Sequence, residues 1–347
     1  MRDSTSFGSA VEPRGIGRRE LLAGALASTL VGATAVRAAT DPIVLRFSHV
    51  VARDTPKGKG AEKFKELAER ATAGRVIVEL HPEGELYGDR EEFEALQLGV
   101  VEMLAPSLAK FAQLGHDEFE IFDLPFLFPD LEAVARVTAG PLGRRLLDGL
   151  SDRGIVGLAY WNNGFKLMSA GVPLLMPADF VGLRMRIQPS RVLESEMRAL
   201  GAVPQMIAFS ETRAALLAGF VDGTENTPSN MATQSIDELQ PWATLSAHGY
   251  LGYAVIVNAA FWAALPADLR AALAAAMREA TVYADGLACA ENGAALARMR
   301  AAGHTSFHVP DQRERDAWIA ALKPVWGEAE KRFGAELLAA VTAAVGR

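Results

Sequence analysis

Residues 43–82 read IVLRFSHVVARDTPKGKGAEKFKELAERATAGRVIVELHP. Both ends are rich in β-branched and apolar residues, which marks them as strands. Between them lies a helix signature, with Thr55 as N-cap, Pro56 in the first turn and Gly74 as the stop. A second helix, DREEFEALQLG, follows with Asp89 as its expected cap, and then an apolar strand, VVEMLAPS. Strand-helix-strand-helix-strand predicts a mostly parallel sheet covered by helices.

The same order recurs downstream. GIVGLAYW, KLMSA and LRMRI read as strands, SRVLESEMRALG as a helix between Ser190 and Gly201, VPQMIA as a strand and SETRAALLAG as a helix. The two units also share a pattern, Ala-Leu-x-x-Gly-x-Val-acid, at residues 95–102 (ALQLGVVE) and 215–222 (ALLAGFVD). In each, a helix ends on glycine and the chain runs on to a polar residue, Ser107 in the first and Asn226 in the second. If the match is structural, two equivalent strand ends face one crevice, the place where open α/β sheets bind ligands. Two lobes suit a chain of 347 residues. A helix is predicted between Pro266 and Gly303. Roughly 36 residues at 1.5 Å each span about 54 Å, enough to brace both lobes, although Gly286 and Gly293 also allow two shorter helices.

Half of the residues are hydrophobic, as a globular chain with a full core requires. The net charge of −7 argues against nucleic acid as a partner. It also means that any anion site must be built locally, from particular cations and N–H groups. One cysteine, Cys289, permits no internal disulfide and no cysteine-based zinc site. Residues 1–39 read as a cleaved export signal: Arg18-Arg19 precede Leu21-Leu22 in the twin-arginine manner, with an ordinary Sec signal as the alternative. Cleavage is expected after Ala38 or Ala39. The apolar run is too short for a membrane span and no lipidated cysteine follows it, so a periplasmic location without membrane insertion is expected.

No sequence motif of catalysis stands out. There is no G-x-S-x-G, no H-E-x-x-H and no G-x-x-x-x-G-K, and GKG at residues 58–60 lacks dinucleotide-loop spacing. His304 and His308 sit in HTSFH, which alternates like a surface strand. Two stretches carry more interest. In GLRMRIQPS, residues 182–190, Leu183, Met185 and Ile187 alternate with Arg184 and Arg186. That face is either solvated or directs one arginine into a cleft to meet a carboxylate. AGFVDGTENTPSN supplies a polar turn beside it.

Taken together, these segments resemble the periplasmic solute-binding proteins of tripartite ATP-independent (TRAP) transporters, and most of all the C4-dicarboxylate-binding branch. The matching pieces run in order through nearly all of the mature chain: LRFSHVVARDTPKG, FDLPFLFPD, YWNNGFKLMSA, PADFVGLRMRIQPS, GAVPQMIAFSE, GFVDGTENTPSN, HGYLGYAVIVN and FWAALP. The resemblance implies an α/β, two-lobed periplasmic binding protein fold with a long helix bracing both lobes. Residues 41–163 plus 252–291 would form the first lobe, and 164–251 plus 292–347 the second. It implies capture of a small organic acid such as succinate, malate or fumarate and delivery to TRAP permease membrane subunits, with no catalysis, cofactor or metal. Another carboxylate, a 2-oxo acid, sugar acid or aromatic acid, is the alternative ligand, and an exported α/β enzyme using the same cleft is the alternative of a different class. Carried over residue by residue, Arg186 is the carboxylate clamp, Asn226 helps hold the same carboxylate, and Phe209 packs on the ligand's carbon chain. Lys57 and Lys166 are candidate cations for the rest of the ligand, with Ser107 and His49 as weaker candidates. The chain departs from the family at SETRAALLAG, where Arg213 replaces a tyrosine and Leu217 lies near the usual glutamine.

Overall fold

The computed structural model describes residues 41–346, so the export signal and its cleavage point lie outside the described residues. The first unit comprises β1 (Ile43–Ser48), α1 (Pro56–Ala71), β2 (Val76–His81), α2 (Glu92–Gln97) and β3 (Met103–Leu104). Helices α3 (Leu131–Thr138) and α4 (Pro141–Gly149) lead to β4 (Ile155–Phe165). At Lys166 the chain crosses to a second sheet through β5 (Leu167–Ala170). There it builds β6 (Arg184–Ile187), α5 (Arg191–Ala199), β7 (Val203–Met206), α6 (Thr212–Leu217), β8 (Gly223–Asn226), α7 (Pro228–Thr233) and β9 (Trp242–Thr244). It returns through β10 (Tyr250–Asn258) and α8 (Ala259–Ala264). The last elements are α9 (Ala267–Ala302), β11 (Ser306–His308), α10 (Gln312–Phe333) and α11 (Ala335–Val345).

The strand orders are β2-β1-β3-β10-β4 and β11-β9-β5-β8-β6-β7. Both sheets are mixed rather than mostly parallel. β1 runs parallel to β2 and β3, and β6 parallel to β7 and β8. β10 is antiparallel to β3 and β4, and β5 antiparallel to β8 and β9. The reason is the double crossing. A strand that arrives directly from the other sheet enters at the crevice end and runs away from it, opposite to strands that finish there.

Helix α9 is continuous over 36 residues. Gly286 and Gly293 do not break it, and a Cβ at either would meet nothing within 4 Å. Leu269, Leu273, Met277, Ala280 and Ala284, at helical spacing, bury one seam against Phe64 and Leu67 of α1 and Phe47 and Trp161 of the first sheet. Further along, Met299 joins Leu167 of the second sheet, Met231 of α7 and Ile236 of the loop that follows. Asn292 ties the helix to both sides: its Oδ1 accepts from the Ser229 N–H at 2.9 Å, and its Nδ2 donates to the Asn163 carbonyl at 2.5 Å. The brace therefore works through packing and through one bifunctional amide. No helix among the described residues is long and apolar enough to cross a membrane.

The start of α1 matters for the site. Thr55 Oγ1 accepts from Gly58 N–H at 3.1 Å, as a cap should. A Cβ at Gly58 would lie 2.5 Å from the carbonyl oxygens of Ala52 and Arg53, and one at Gly60 would lie 2.9 Å from the Ala284 methyl. Two glycines thus let this first turn press against both the preceding loop and α9, which fixes where Lys57 points.

Candidate functional site

The shared Ala-Leu-x-x-Gly-x-Val-acid pattern ends on a repeated fixture. Arg46 on β1 binds Glu102 through its backbone N–H (2.8 Å), Nε (3.0 Å) and Nη2 (2.6 Å). Arg184 on β6 binds Asp222 through the same three groups at 2.8, 3.0 and 2.6 Å. Each pair staples a first strand to the entry of the strand beside it. Arg184 is therefore paired with an acid, and the Asp222 carboxyl is pulled below its usual range by that hydrogen bonding, against slight burial.

Two residues on, the same strand face reaches the crevice at Arg186. Its side chain is 2 % exposed, its Nε donates to the Ile207 carbonyl at 2.9 Å, and it forms no ion pair among the described residues. Burial lowers its pKa, which the fields of Asp89 and Glu225 oppose; a guanidinium stays charged regardless. It lines a narrow cavity in the crevice. Lys57, Ser107, Phe209 and Asn226 share that wall with it, so five of the seven residues singled out in the sequence come together. Asn226 Oδ1 accepts from Thr227 N–H (2.9 Å) and Asn230 Nδ2 (3.1 Å), which leaves its amide nitrogen to donate into the cavity. Phe209 forms a small apolar cluster with Val50 and Val51 across the crevice.

The remaining two lie elsewhere, each for a physical reason. Lys166 does not reach the cavity. It is buried at the first crossing, where its Nζ meets both Glu225 oxygens at 2.9 and 2.8 Å. Burial works against this ammonium, but Glu225, Asp123 and Glu196 raise its pKa, and burial of Glu225 is likewise outweighed by Lys166 and His248, which hold that carboxyl at about 2. His49 packs against Phe47, its Nδ1 buried without a partner. Burial, then the nearby Lys57 charge, pushes it to about 3, so it is a neutral packing group. Arg213 also stands away from the cavity and pairs with Glu238 at 2.7 Å, so the family departure there alters no wall of the site. Glu196, Glu225 and His248 place three donor atoms within 4.8 Å of one another. Lys166 already occupies both Glu225 oxygens, and His248 Nε2 lies 3.0 Å from one of them, so these donors are engaged within the protein.

Sequence reasoning missed several wall residues: Asp89, Lys110, Gln188, Asn230 and Tyr253. Asp89 was expected to cap α2. That helix begins later, and the carboxylate instead binds Lys110 and accepts from Phe209 N–H at 2.5 Å. Lys110 also binds Glu92. A lone lysine in the apolar run SLAKFAQL was the available signal. Contacts close the crevice from side to side: Ser107 Oγ donates to Gln188 Oε1 at 2.5 Å, and Arg90 pairs with Glu211 at 3.0 Å. Lys57 resembles Arg186 and differs from Lys110 in its partners. It has no carboxylate of its own among the described residues. Its Nζ donates to the Ala105 carbonyl at 2.9 Å and lies 3.9 Å from the centre of the Tyr253 ring.

Residues 47–332 match the family model for bacterial extracellular solute-binding protein, family 7. The chain is 60% identical over 321 residues to the C4-dicarboxylate-binding periplasmic protein DctP of Rhodobacter capsulatus, covering 91% of this chain and 96% of that protein. A TRAP periplasmic solute-binding protein from Shewanella oneidensis with bound succinate is 39% identical with a TM-score of 0.86, over 88% of this chain and 99% of that one. One from Pseudomonas aeruginosa PAO1 with bound L-malate is 45% identical with a TM-score of 0.81, over 83% of this chain and 100% of that one.

Proposed function

The chain belongs to the bacterial extracellular solute-binding proteins of family 7, and from that premise we propose that it captures a C4-dicarboxylate such as succinate, malate or fumarate between its two lobes. One observation carries the reading: a buried guanidinium, without an ion-pair partner among the described residues, lines a cavity together with Lys57, Ser107, Phe209 and Asn226. A carboxylate offers two coplanar oxygens to its two parallel N–H groups. Asn226 Nδ2 donates to the same carboxylate, Phe209, Val50 and Val51 cover the carbon chain, and Lys57 meets the second carboxylate. Ser107 helps close the wall through Gln188. Each charge-assisted hydrogen bond contributes about 1.5–3 kcal/mol. A few of them account for much of the roughly −8 kcal/mol of a micromolar complex.

In this reading the lobes are residues 41–163 plus 252–291 and 164–251 plus 292–347, and they close without changing the ligand. The signal at residues 1–39 sends the chain to the periplasm, and TRAP permease membrane subunits receive the ligand. Thermal unfolding with a panel of organic acids tests the assignment. Succinate or malate should raise Tm progressively with concentration, and the acid should be recovered unchanged. Indifference to every C4-dicarboxylate would overturn the ligand class, and conversion of the acid would overturn the receptor role.

A further inference from the structure

Alternate residues of a strand share a face, so the line of β6 presents Arg184, Arg186 and then Gln188, just past its last residue. Arg184 is paired with Asp222, whereas Arg186 and Gln188 both line the cavity. The chain at Gln188 is held firmly. Its carbonyl accepts from Ser190 N–H at 2.8 Å, and Ser190 caps α5 by accepting from Leu193 N–H at 3.3 Å. Pro189 between them fixes its own φ, so the Gln188 side chain leaves a rigid corner. Its Oε1 meets Ser107 Oγ across the crevice at 2.5 Å. An amide oxygen only accepts, so the hydroxyl must donate. Ser107 has no competing use for it, because its side chain does not cap the short 3-10 helix Leu108–Leu114 that follows. The other end of the amide has no such partner. Gln188 Nε2 makes no hydrogen bond among the described residues, yet it is not one of their sealed-off unpaired atoms, as Asn230 Oδ1 is. Its two N–H donors therefore keep an open side, on a residue that shares the cavity wall with Arg186, Lys57 and Asn226.

We propose that Gln188 binds the ligand and ties it to the opposite side of the crevice: Nε2 donates to a carboxylate oxygen of the bound dicarboxylate while Oε1 receives the Ser107 hydroxyl. The inference rests on the C4-dicarboxylate reading above. An amide beside an anion has one favourable orientation. Turned the other way, Oε1 would face carboxylate oxygens, acceptors with no proton between them. The anion therefore holds Nε2 inward and Oε1 toward Ser107, which has a proton to give. Arg186 and Gln188 meet the ligand from the end of one strand, and Ser107 stands at a strand end of the other sheet. A ligand seated on the second sheet thus sets the amide that the first sheet grips, and no covalent bond changes.

Calorimetric titration of the mature chain with succinate, run as a double-mutant cycle, separates this role from that of a plain strut between the sheets. Ser107→Ala removes the crossing bond and leaves Nε2 in place. Gln188→Met removes both and keeps much of the side chain's length and bulk. Ser107→Ala should weaken binding by up to about tenfold. Gln188→Met should weaken it by about a hundredfold, and still by at least about tenfold when added to Ser107→Ala. A strut alone would lose nothing more once Ser107 is gone, and that result would overturn the proposal. A spectroscopic readout is independent of the cycle. In isotope-labelled protein the Gln188 side-chain amide signals, assigned by their loss in Gln188→Met, should shift on saturation with succinate in wild type and in Ser107→Ala alike; signals that stay in place overturn the proposal. If Gln188→Met does not fold, Gln188→Glu replaces it. That variant keeps an acceptor for Ser107 but turns a negative charge to the ligand, so binding should fall at least about a hundredfold, whereas affinity kept or raised would leave only the strut. Absence of succinate binding by the wild-type chain would instead overturn the ligand assignment, and this inference with it.

Discussion

In the first sheet Arg46 reaches back to Glu102, and in the second Arg184 does the same to Asp222, with matching bonds. The registers match too. Phe47 pairs with Met103 and that with Val257, while Met185 pairs with Gly223 and that with Ala170. Two residues beyond each arginine, on the same strand face, the halves part. The first sheet has Ser48, fully buried with no partner for its hydroxyl, and the second has Arg186. The starts of the helices after these strands differ as well. α1 offers Lys57 to the cavity, whereas the first N–H groups of α5, at Arg191 and Val192, are taken by the Glu120 carboxylate. A repeated scaffold therefore presents two different cations: a guanidinium fixed by a strand and an ammonium fixed by a helix turn.

The comparison can be broken most forcefully by exchanging its unequal member. Ser48→Arg places an uncompensated charge in a packed interior and should destabilise the chain by about 3–5 kcal/mol, visible as a large fall in Tm; a mild effect would mean that the two strand ends are interchangeable. Arg186→Ala should weaken succinate binding by at least about a hundredfold, or about 3 kcal/mol, with folding retained by circular dichroism. Near-normal affinity would remove Arg186 from the site. Asp89→Asn tests the bond from the first half to Phe209. Burial alone would raise this carboxyl, yet Lys110 and the Phe209 N–H hold it at about 2. Its contribution of about 2 kcal/mol is present above about pH 4 and disappears as pH falls toward 2. The variant should be less stable at neutral pH and should have a shallower acid transition. The smallest effects belong to the shared fixture. Glu102→Gln and Asp222→Asn should each lower Tm by about 2–4 °C, because partly solvated pairs contribute little, and leave succinate affinity within about threefold. Markedly unequal shifts would show that the two fixtures are alike in geometry only.

Much of this was legible in the chain. Alternation, caps and glycine stops gave the strands and helices, and the mature-chain motifs pointed to Arg186, Asn226, Phe209, Lys57 and Ser107. The mixed strand direction was hidden, because a strand that crosses between sheets reads like one that returns within its own. Asp89, read as a cap, binds Lys110 and a backbone amide of the other half. Lys166 looked as free as Lys57, and His49 looked exposed to ligand where it packs on Phe47.

Periodicity and capping are local, so the order of residues alone indicated most strands and helices, and the run of motifs, by resemblance, the family. Which lysine is free to meet a ligand was decided only by folding. The acid that neutralises Lys166 lies 59 residues away in the chain, while the fold brings Lys57 a carbonyl 48 residues away and no carboxylate of its own. A charge's availability depends on what lies within a few ångströms in space, and for both lysines that neighbour comes from a distant part of the chain.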